Sequence, residues 1–154
     1  MAVIAVKHNM EMAHRLSQTE GKCQQIHGHS WWVTLEIKGE VDANGILLEF
    51  GDVKKKFRTF LDEFFDHRLL LNASDPILSV PGNENVPEWI DRRYPGAQFM
   101  DGDPTTEHVA QAIYHWARET WDLGGFEREG GPKYEFRITV WETSVNCAIV
   151  GDWE

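Results

Sequence analysis

The segment Cys23–His29 places a thiol four residues before the first of two histidines. His27 and His29 stand two positions apart, and an alternating apolar stretch follows them. Side chains two apart on a strand point to the same side, so both imidazoles are expected to face one point. With His14 upstream, there are three histidines and no obvious fourth protein ligand, which is typical of a catalytic zinc site with one open position. These residues predict a Zn²⁺ ion held by His14, His27 and His29.

Each of these residues also has a less specific interpretation. A His-x-His pair often marks a solvated strand end, and a single cysteine is more often a small packing residue than a nucleophile. Cys23 is alternatively a fourth zinc ligand that closes the site into a structural one, although closed structural sites usually contain more cysteines.

The composition favours a single globular domain over residues 1–154. Of the 154 residues, 42% are hydrophobic and 26% charged, which suits a packed core. The net charge of −10 argues against nucleic acid or an anionic membrane as a partner. Two cysteines make no disulfide framework, and no segment resembles a signal peptide or a bilayer-spanning helix. We therefore expect a cytoplasmic protein.

Hydrophobic periodicity predicts an α+β protein. Strands are predicted over Val3–Lys7, His29–Gly39, Ile46–Phe50, Tyr134–Val140 and Asn146–Val150. Residues 72–103 are rich in proline and glycine, so a long helix is not expected there. The order strands, helix, helix, strands favours an antiparallel sheet with two helices on one face.

Two amphipathic segments between these strands predict the helices. The first begins at Gly51–Asp52, with Asp52 as its N-cap, and ends near Phe65-Asp66-His67. The second begins at Pro104, with Thr105 as its N-cap, and ends at Leu123-Gly124-Gly125.

Two acidic positions have an ambiguous environment in the sequence. Glu142 has the same strand parity as the apolar Ile138 and Val140, where a carboxylate is costly unless it meets a donor. An exposed carboxylate at the strand end explains Glu142 equally well. Glu107 in the first turn of a helix would ordinarily interact only with the helix dipole.

Six short motifs, in their order along the chain, resemble the 6-pyruvoyltetrahydropterin synthase family. They are Ala13-His14-Arg15-Leu16, Cys23–His29, Glu49-Phe50-Gly51-Asp52-Val53-Lys54, Asp66-His67, Pro104-Thr105-Thr106-Glu107 and Trp141-Glu142-Thr143. The resemblance covers nearly the whole chain. It implies the tunnelling fold, in which the sheets of several subunits join edge to edge around a barrel, and a homohexamer with active sites between subunits.

The spacing of the cysteine resembles the 6-carboxytetrahydropterin synthase branch of that family. Three residues separate Cys23 from His27, as in that branch. This implies conversion of 7,8-dihydroneopterin triphosphate to 6-carboxy-5,6,7,8-tetrahydropterin, with loss of acetaldehyde and triphosphate, as in queuosine precursor synthesis. Two features depart from the family: Glu49 replaces the usual aspartate, and residues 79–101 form a longer segment. A pyruvoyl-type synthase and a noncatalytic pterin-binding protein are the alternatives.

The resemblance also implies roles for individual side chains. Cys23 is the candidate base, and Asp66-His67 is the candidate acid/base pair. Adjacent side chains do not face each other in a helix or a strand, so this pair needs an irregular turn. Glu142 would accept two parallel N–H groups of the pterin, and the other positions implied for pterin binding are Glu107, Thr105 and Thr106. Candidates for the triphosphate are Lys22, Arg15, Arg68 and Lys54.

Overall fold

The computed structural model describes residues 1–79, 96–121 and 133–154. Its elements are β1 (Ala2–His14), β2 (His27–Gly39), α1 (Phe50–Phe64), β3 (Leu69–Asn72), β4 (Gln98–Met100), α2 (Thr106–Trp121), β5 (Glu135–Trp141) and β6 (Cys147–Gly151), with short 3₁₀ helices at Lys22–Gln24 and Pro76–Leu78. Within these ranges, no helix combines the length and hydropathy needed to cross a membrane.

The strands form one mixed sheet in the order β4-β3-β1-β2-β5-β6. β1 and β2 are antiparallel along their whole length, from Ala2 opposite Gly39 to His14 opposite His27. β5 and β6 continue the antiparallel part, whereas β3 and β4 are parallel to β1. The predicted α+β fold with two helices is therefore confirmed. The sheet was predicted to be antiparallel, but it also contains two short parallel strands, β3 and β4. The four-residue run Leu69–Asn72 is buried throughout and shows no alternation, so periodicity could not identify it as a strand.

Two predicted strands differ from the structure. β1 extends from Ala2 to His14, well beyond the predicted Val3–Lys7. The predicted strand Ile46–Phe50 is wrong, because these residues belong to no strand and α1 already begins at Phe50. The chain instead turns tightly, and the Asp42 carboxylate accepts the N–H group of Ile46 at 2.9 Å.

One of the two predicted helix caps is correct. Thr105 Oγ1 accepts the N–H group of His108 at 3.3 Å, which satisfies a free donor in the first turn of α2. The cap predicted at Asp52 is wrong, because the N-cap position belongs to Glu49, whose side chain makes no capping bond. The predicted end of α2 at Leu123-Gly124-Gly125 lies outside the described residues.

The core lies between one face of the sheet and both helices. Trp31, Val33, Leu35 and Ile37 from β2 are all 0% exposed, and they pack in one cluster with Val53, Phe57 and Leu61 of α1 and Val109, Ile113 and Ala117 of α2. The helix-facing side of β2 is thus filled by large apolar side chains up to Trp31. Its first residues, on the same side, are the histidines.

Candidate active site

Three histidines meet at one end of the core-facing side of the sheet. His14 ends β1 directly opposite His27, the first residue of β2, and His29 lies two residues further along the same side. One ligand nitrogen from each ring lies within 4.8 Å of the other two. His14 is fully buried, and the other two are half-buried. Antiparallel register and strand periodicity alone therefore produce the cluster.

Backbone carbonyls fix the orientation of two of these rings. His14 Nδ1 lies 2.8 Å from the Pro104 carbonyl oxygen, and His27 Nδ1 lies 2.7 Å from that of Gln25. A carbonyl oxygen only accepts, so each Nδ1 carries the proton and each Nε2 presents a lone pair. Burial lowers the pKa of His14 and so favours the neutral ring; the hydrogen bond to the Pro104 carbonyl acts in the opposite direction but does not outweigh burial.

The two Nε2 atoms face each other at a distance that suits a shared cation. They are 3.1 Å apart, and two lone pairs at that distance repel unless a positive charge lies between them. A tetrahedral zinc ion with bonds of roughly 2.0–2.1 Å separates its nitrogen ligands by about 3.3 Å. Imidazoles held through their second nitrogen by carbonyl groups are also the usual supporting arrangement of a metal site. The residues present thus fit a zinc ion.

Glu142 directs its carboxylate at the same cluster. Its Oε1 lies 3.5 Å from His14 Nε2 and 3.9 Å from His29 Nε2. The residue follows β5, whose core-facing positions it continues, and its side chain is 21% exposed. Strand parity correctly pointed this carboxylate inward, but did not indicate that it would lie beside the histidines.

Cys23 lies outside the histidine cluster, on an exposed 3₁₀ turn. Its thiol is not among the atoms that group around the three imidazoles in the described ranges, so the arrangement does not support a fourth zinc ligand. The Cys23 carbonyl accepts the N–H group of Leu16 at 2.8 Å. Arg15 donates to the Gln24 carbonyl at 2.6 Å and pairs with the buried Asp75 carboxylate at 2.7 Å. Arg15 thus anchors the cysteine turn. Its positive charge is already paired with Asp75, so it is a less suitable partner for a triphosphate.

A buried aspartate joins the cysteine loop to the segment before α2. Asp103 accepts from Ser17 Oγ at 2.6 Å, from the Gln18 N–H group at 2.7 Å and from Asn72 Nδ2 at 3.1 Å. Burial acts to raise the pKa of Asp103, but these donors outweigh it and lower the pKa. The sequence contains no signal for these roles of Asp103 and Pro104: the donors to the Asp103 carboxylate lie in distant segments, and the Pro104 carbonyl that orients His14 is a backbone acceptor, which leaves no pattern in side-chain types.

Asp66 and His67 form a hydrogen-bonded pair at the corner between α1 and β3. His67 has φ = 58°, a left-handed conformation uncommon outside glycine. This is the irregular turn that the pair requires, and it brings His67 Nδ1 to 2.9 Å from Asp66 Oδ2. The corner is fastened to β1, where Glu11 donates its N–H group to Asp66 Oδ1 at 2.8 Å and accepts that of His67 at 2.7 Å.

The surroundings keep Asp66 ionised and leave the His67 ring accessible. Burial acts to raise the pKa of Asp66, but the Glu11 N–H group, His67 and Arg58 outweigh it and lower the pKa. The His67 side chain is 78% exposed, at an open cleft of about 520 Å³ that Arg68 and His29 also line. With Nδ1 bonded to Asp66, Nε2 of His67 is available for proton transfer.

The remaining predicted binding residues do not contact the histidines. Glu107 is exposed in the first turn of α2, and Thr106 is half-buried at its start. Thr105 caps that helix. Lys22 is exposed beside Cys23, and Lys54 on α1 lies over the ring of Phe50. The Pro104–Glu107 segment is nevertheless adjacent to the site, because the Pro104 carbonyl binds His14.

Comparisons with known proteins agree with this architecture. The family model described as 6-pyruvoyl tetrahydropterin synthase matches residues 3–152. A protein of Rickettsia conorii named 6-carboxy-5,6,7,8-tetrahydropterin synthase is 28% identical over 101 residues, which are 65% of this chain and 68% of the relative. An Archaeoglobus fulgidus protein with the name putative 6-carboxy-5,6,7,8-tetrahydropterin synthase is 31% identical over 84 residues, 54% of this chain and 68% of the relative.

Solved structures show the same fold at lower identity. The 6-pyruvoyl tetrahydropterin synthase of Plasmodium falciparum superposes with a TM-score of 0.73 at 21% identity, over 99% of this chain and 98% of that one. The Caenorhabditis elegans 6-pyruvoyl tetrahydropterin synthase gives a TM-score of 0.60 at 20% identity, over 99% and 98% of the two chains.

Proposed function

Because the chain belongs to the 6-pyruvoyl tetrahydropterin synthase family, we propose that it is a zinc-dependent 6-carboxy-5,6,7,8-tetrahydropterin synthase. The proposed reaction converts 7,8-dihydroneopterin triphosphate and one water molecule to 6-carboxytetrahydropterin, acetaldehyde and triphosphate, and supplies a queuosine precursor in the cytoplasm. The observation that carries the proposal is the pair of facing Nε2 lone pairs of His14 and His27, 3.1 Å apart beside His29. The relatives named as 6-carboxytetrahydropterin synthases support the branch.

Each residue of the site has a specific task in this mechanism. His14, His27 and His29 would hold Zn²⁺, which when bound supplies Lewis acidity toward the oxygens of the substrate side chain. The Cys23 thiolate takes a proton from the carbon chain of the substrate. His67 exchanges protons at Nε2, while Asp66 fixes its tautomer and stabilises its charged form.

Pterin recognition falls to Glu142 in this proposal. Its carboxylate lies at the histidine cluster and is partly shielded from water. Two parallel N–H donors of a pterin ring match the two oxygens of one carboxylate, which makes the contact both strong and directional. Glu107, Thr105 and Thr106 on the neighbouring segment would complete the pocket around the ring.

The proposed enzyme is a homohexamer with active sites shared between copies. β3 pairs with β1 only at Ala13 and His14, so in the described ranges no strand pairs with the outer edge of β1 from Ala2 to Met10. Among the strands that the structure describes, β6 also lies at an edge of the sheet, and such edges are normally paired or covered. Asp66 and His67 bind the outer edge of β1 at Glu11 and would therefore lie near the junction, where another copy presents Cys23.

The test is incubation of the zinc-loaded protein with 7,8-dihydroneopterin triphosphate, followed by mass spectrometry. Release of 6-carboxytetrahydropterin and acetaldehyde supports the proposal, and the Cys23→Ala variant provides the background rate. A 6-pyruvoyl product would instead assign the protein to the pyruvoyl type. Pterin binding without turnover would make it a noncatalytic binding protein.

A further inference from the structure

A single guanidinium connects α1, the outer edge of β1 and the Asp66 carboxylate. Arg58 Nη1 donates to the Asn9 carbonyl at 2.9 Å. Its Nη2 lies 3.2 Å from Asp66 Oδ2 and 2.6 Å from Asp62 Oδ1. A planar guanidinium holds two acceptors at a fixed separation, which a flexible ammonium group cannot do. Arg58 thus sets the distance between the strand edge and the Asp66 carboxylate.

The Asp66 oxygen that Arg58 contacts is also the one that orients His67. Oδ2 accepts from His67 Nδ1 at 2.9 Å, while Oδ1 is occupied by the Glu11 N–H group at 2.8 Å. Rotation of the carboxylate would break both the Arg58 and the Glu11 contacts. The His67 ring itself is 78% exposed, so its own packing contributes little to its orientation.

The contacts of Arg58 differ in how much they can contribute. Asp62 is half exposed and one helical turn away, and solvent screening leaves exposed pairs of this kind with a small contribution. Asp66 is only 13% exposed, where a charged partner is screened less by solvent. Arg58 is also one of the groups that lower the pKa of Asp66. The Asp66 contact is therefore expected to dominate.

We propose that Arg58 is a positioning residue of the candidate active site, which holds Asp66 so that His67 keeps its proton on Nδ1 and presents Nε2 to the cleft. Its effect on proton transfer rests on the proposed function. The orientation of His67 is a property of the resting protein and can be measured without substrate. None of the motifs in the sequence analysis includes Arg58.

The test compares Arg58→Met with the matched control Asp62→Asn, which removes the exposed partner and keeps both other contacts of Arg58. Nitrogen-15 NMR of the zinc-loaded, substrate-free protein reports the ring tautomer, and a His67→Gln spectrum assigns the His67 signals. The wild-type protein and Asp62→Asn should show one tautomer with the proton on Nδ1. Arg58→Met should show a mixture, and its kcat should fall about tenfold at nearly constant KM. That loss is below the roughly hundredfold or larger effect of removing an acid/base group.

Unchanged His67 signals in folded Arg58→Met would overturn the inference. If that variant does not fold, Arg58→Gln keeps a polar side chain and is expected to give the same tautomer mixture, and unchanged signals there overturn the inference equally. A wild-type protein without pterin turnover would defeat the proposed function alone, because the tautomer measurement still decides the role of Arg58. Turnover together with unchanged tautomers would defeat the role of Arg58 alone.

Discussion

The histidine cluster and the Asp66–His67 corner solve the problem of orienting imidazoles in opposite ways. In the cluster, two regular strands deliver the three rings, backbone carbonyls fix the tautomers of His14 and His27, and His14 is completely buried. At the corner, a left-handed turn delivers a ring that is 78% exposed, and its partner Asp66 is held by the Arg58 side chain and the Glu11 N–H group. The first arrangement is held by continuous strand pairing, and the second depends on a few individual contacts to β1 and α1.

This difference matches two different tasks. A metal site requires fixed ligands whose lone pairs converge, and a paired strand end provides them at little additional cost. A group that exchanges protons with a substrate must be accessible from the cleft. An exposed imidazole can also reach an active site that includes residues of a second copy of the chain. Damage to the cluster should therefore remove the metal, whereas damage at the corner should leave the metal in place and change rates and pH dependence.

The largest expected effect tests the cluster. His29→Ala should reduce the zinc content well below one ion per chain and abolish turnover, since removal of a ligand leaves two imidazoles and an open site. Atomic absorption on the purified protein measures the zinc, and His115→Ala on the exposed side of α2 is the matched control. Equal zinc in His29→Ala and wild type would contradict the assignment of this ligand.

The next effect separates Cys23 from the cluster. Cys23→Ala should retain zinc and fold, because its thiol lies outside the ligand group, yet it should lose activity. Groups that transfer protons typically contribute about 10²- to 10⁴-fold, so a loss in that range is expected. Steady-state kinetics and metal analysis on the same sample provide the measurement. Loss of zinc together with activity would make Cys23 a ligand after all.

Mixing experiments test whether the corner acts in another copy's site. Cys23→Ala and His67→Ala are each expected to be inactive, but partial dissociation and reassembly of a mixture should restore part of the wild-type rate. The restored activity would come from sites in which one chain supplies the thiol and another the imidazole. Each variant treated alone serves as the control. A fully active monomer in light scattering would refute a shared site.

The same contrast explains how much of the fold could be predicted from the sequence. Long alternating segments identified β2 and β5, and helical spacing identified both helices, because these patterns record a buried face directly. β3 and β4 were missed because they are short and pair in parallel with distant segments. The strand predicted over Ile46–Phe50 failed because the Asp42 turn holds Ile46 and α1 already begins at Phe50, and strand propensity does not register either feature.

In the site, too, features that follow from regular strand periodicity could be predicted, and features that depend on irregular turns or distant contacts could not. The convergence of His27 and His29 followed from a spacing of two, because strand periodicity translates that spacing into geometry. The pairing of Asp66 with His67 rested on resemblance alone, since adjacent residues face each other only in an irregular turn. Arg58 and the Pro104 carbonyl could not be predicted, because their contacts bring together elements far apart in the sequence.

A smaller effect is expected for Glu142, which lies beside the histidines and which we propose as the residue that binds the pterin ring. Glu142→Gln replaces one acceptor oxygen by a donor that opposes the N–H groups of the ring. Loss of one charge-assisted hydrogen bond costs about 1.5–3 kcal/mol, so a nonreactive pterin should bind at least roughly tenfold more weakly, with zinc unchanged. Calorimetric titration measures the affinity, with exposed Glu107→Gln for comparison. Unchanged affinity in Glu142→Gln would make Glu107 the better candidate for this contact.

The smallest expected effect concerns stability at the corner. The pKa of Asp66 lies below its ordinary value of 3.8, so the ionised carboxylate stabilises the folded state above that pH. This contribution is lost as the pH falls through the lower pKa of the folded protein. Asp66→Asn should therefore reduce the free energy of unfolding by about 1 kcal/mol at pH 7, the typical net value of a hydrogen bond. The difference from wild type should shrink below pH 3.8.

Urea unfolding at fixed protein concentration from pH 7 to pH 3 provides that measurement. The matched control is Asp62→Asn, whose half-exposed partner contact should change the free energy of unfolding by less than about 0.5 kcal/mol at pH 7. A difference between Asp66→Asn and wild type that is independent of pH would show that Asp66 acts through its shape and not through its charge. In that case the corner would resemble the histidine cluster, with its orientation fixed by packing and backbone contacts.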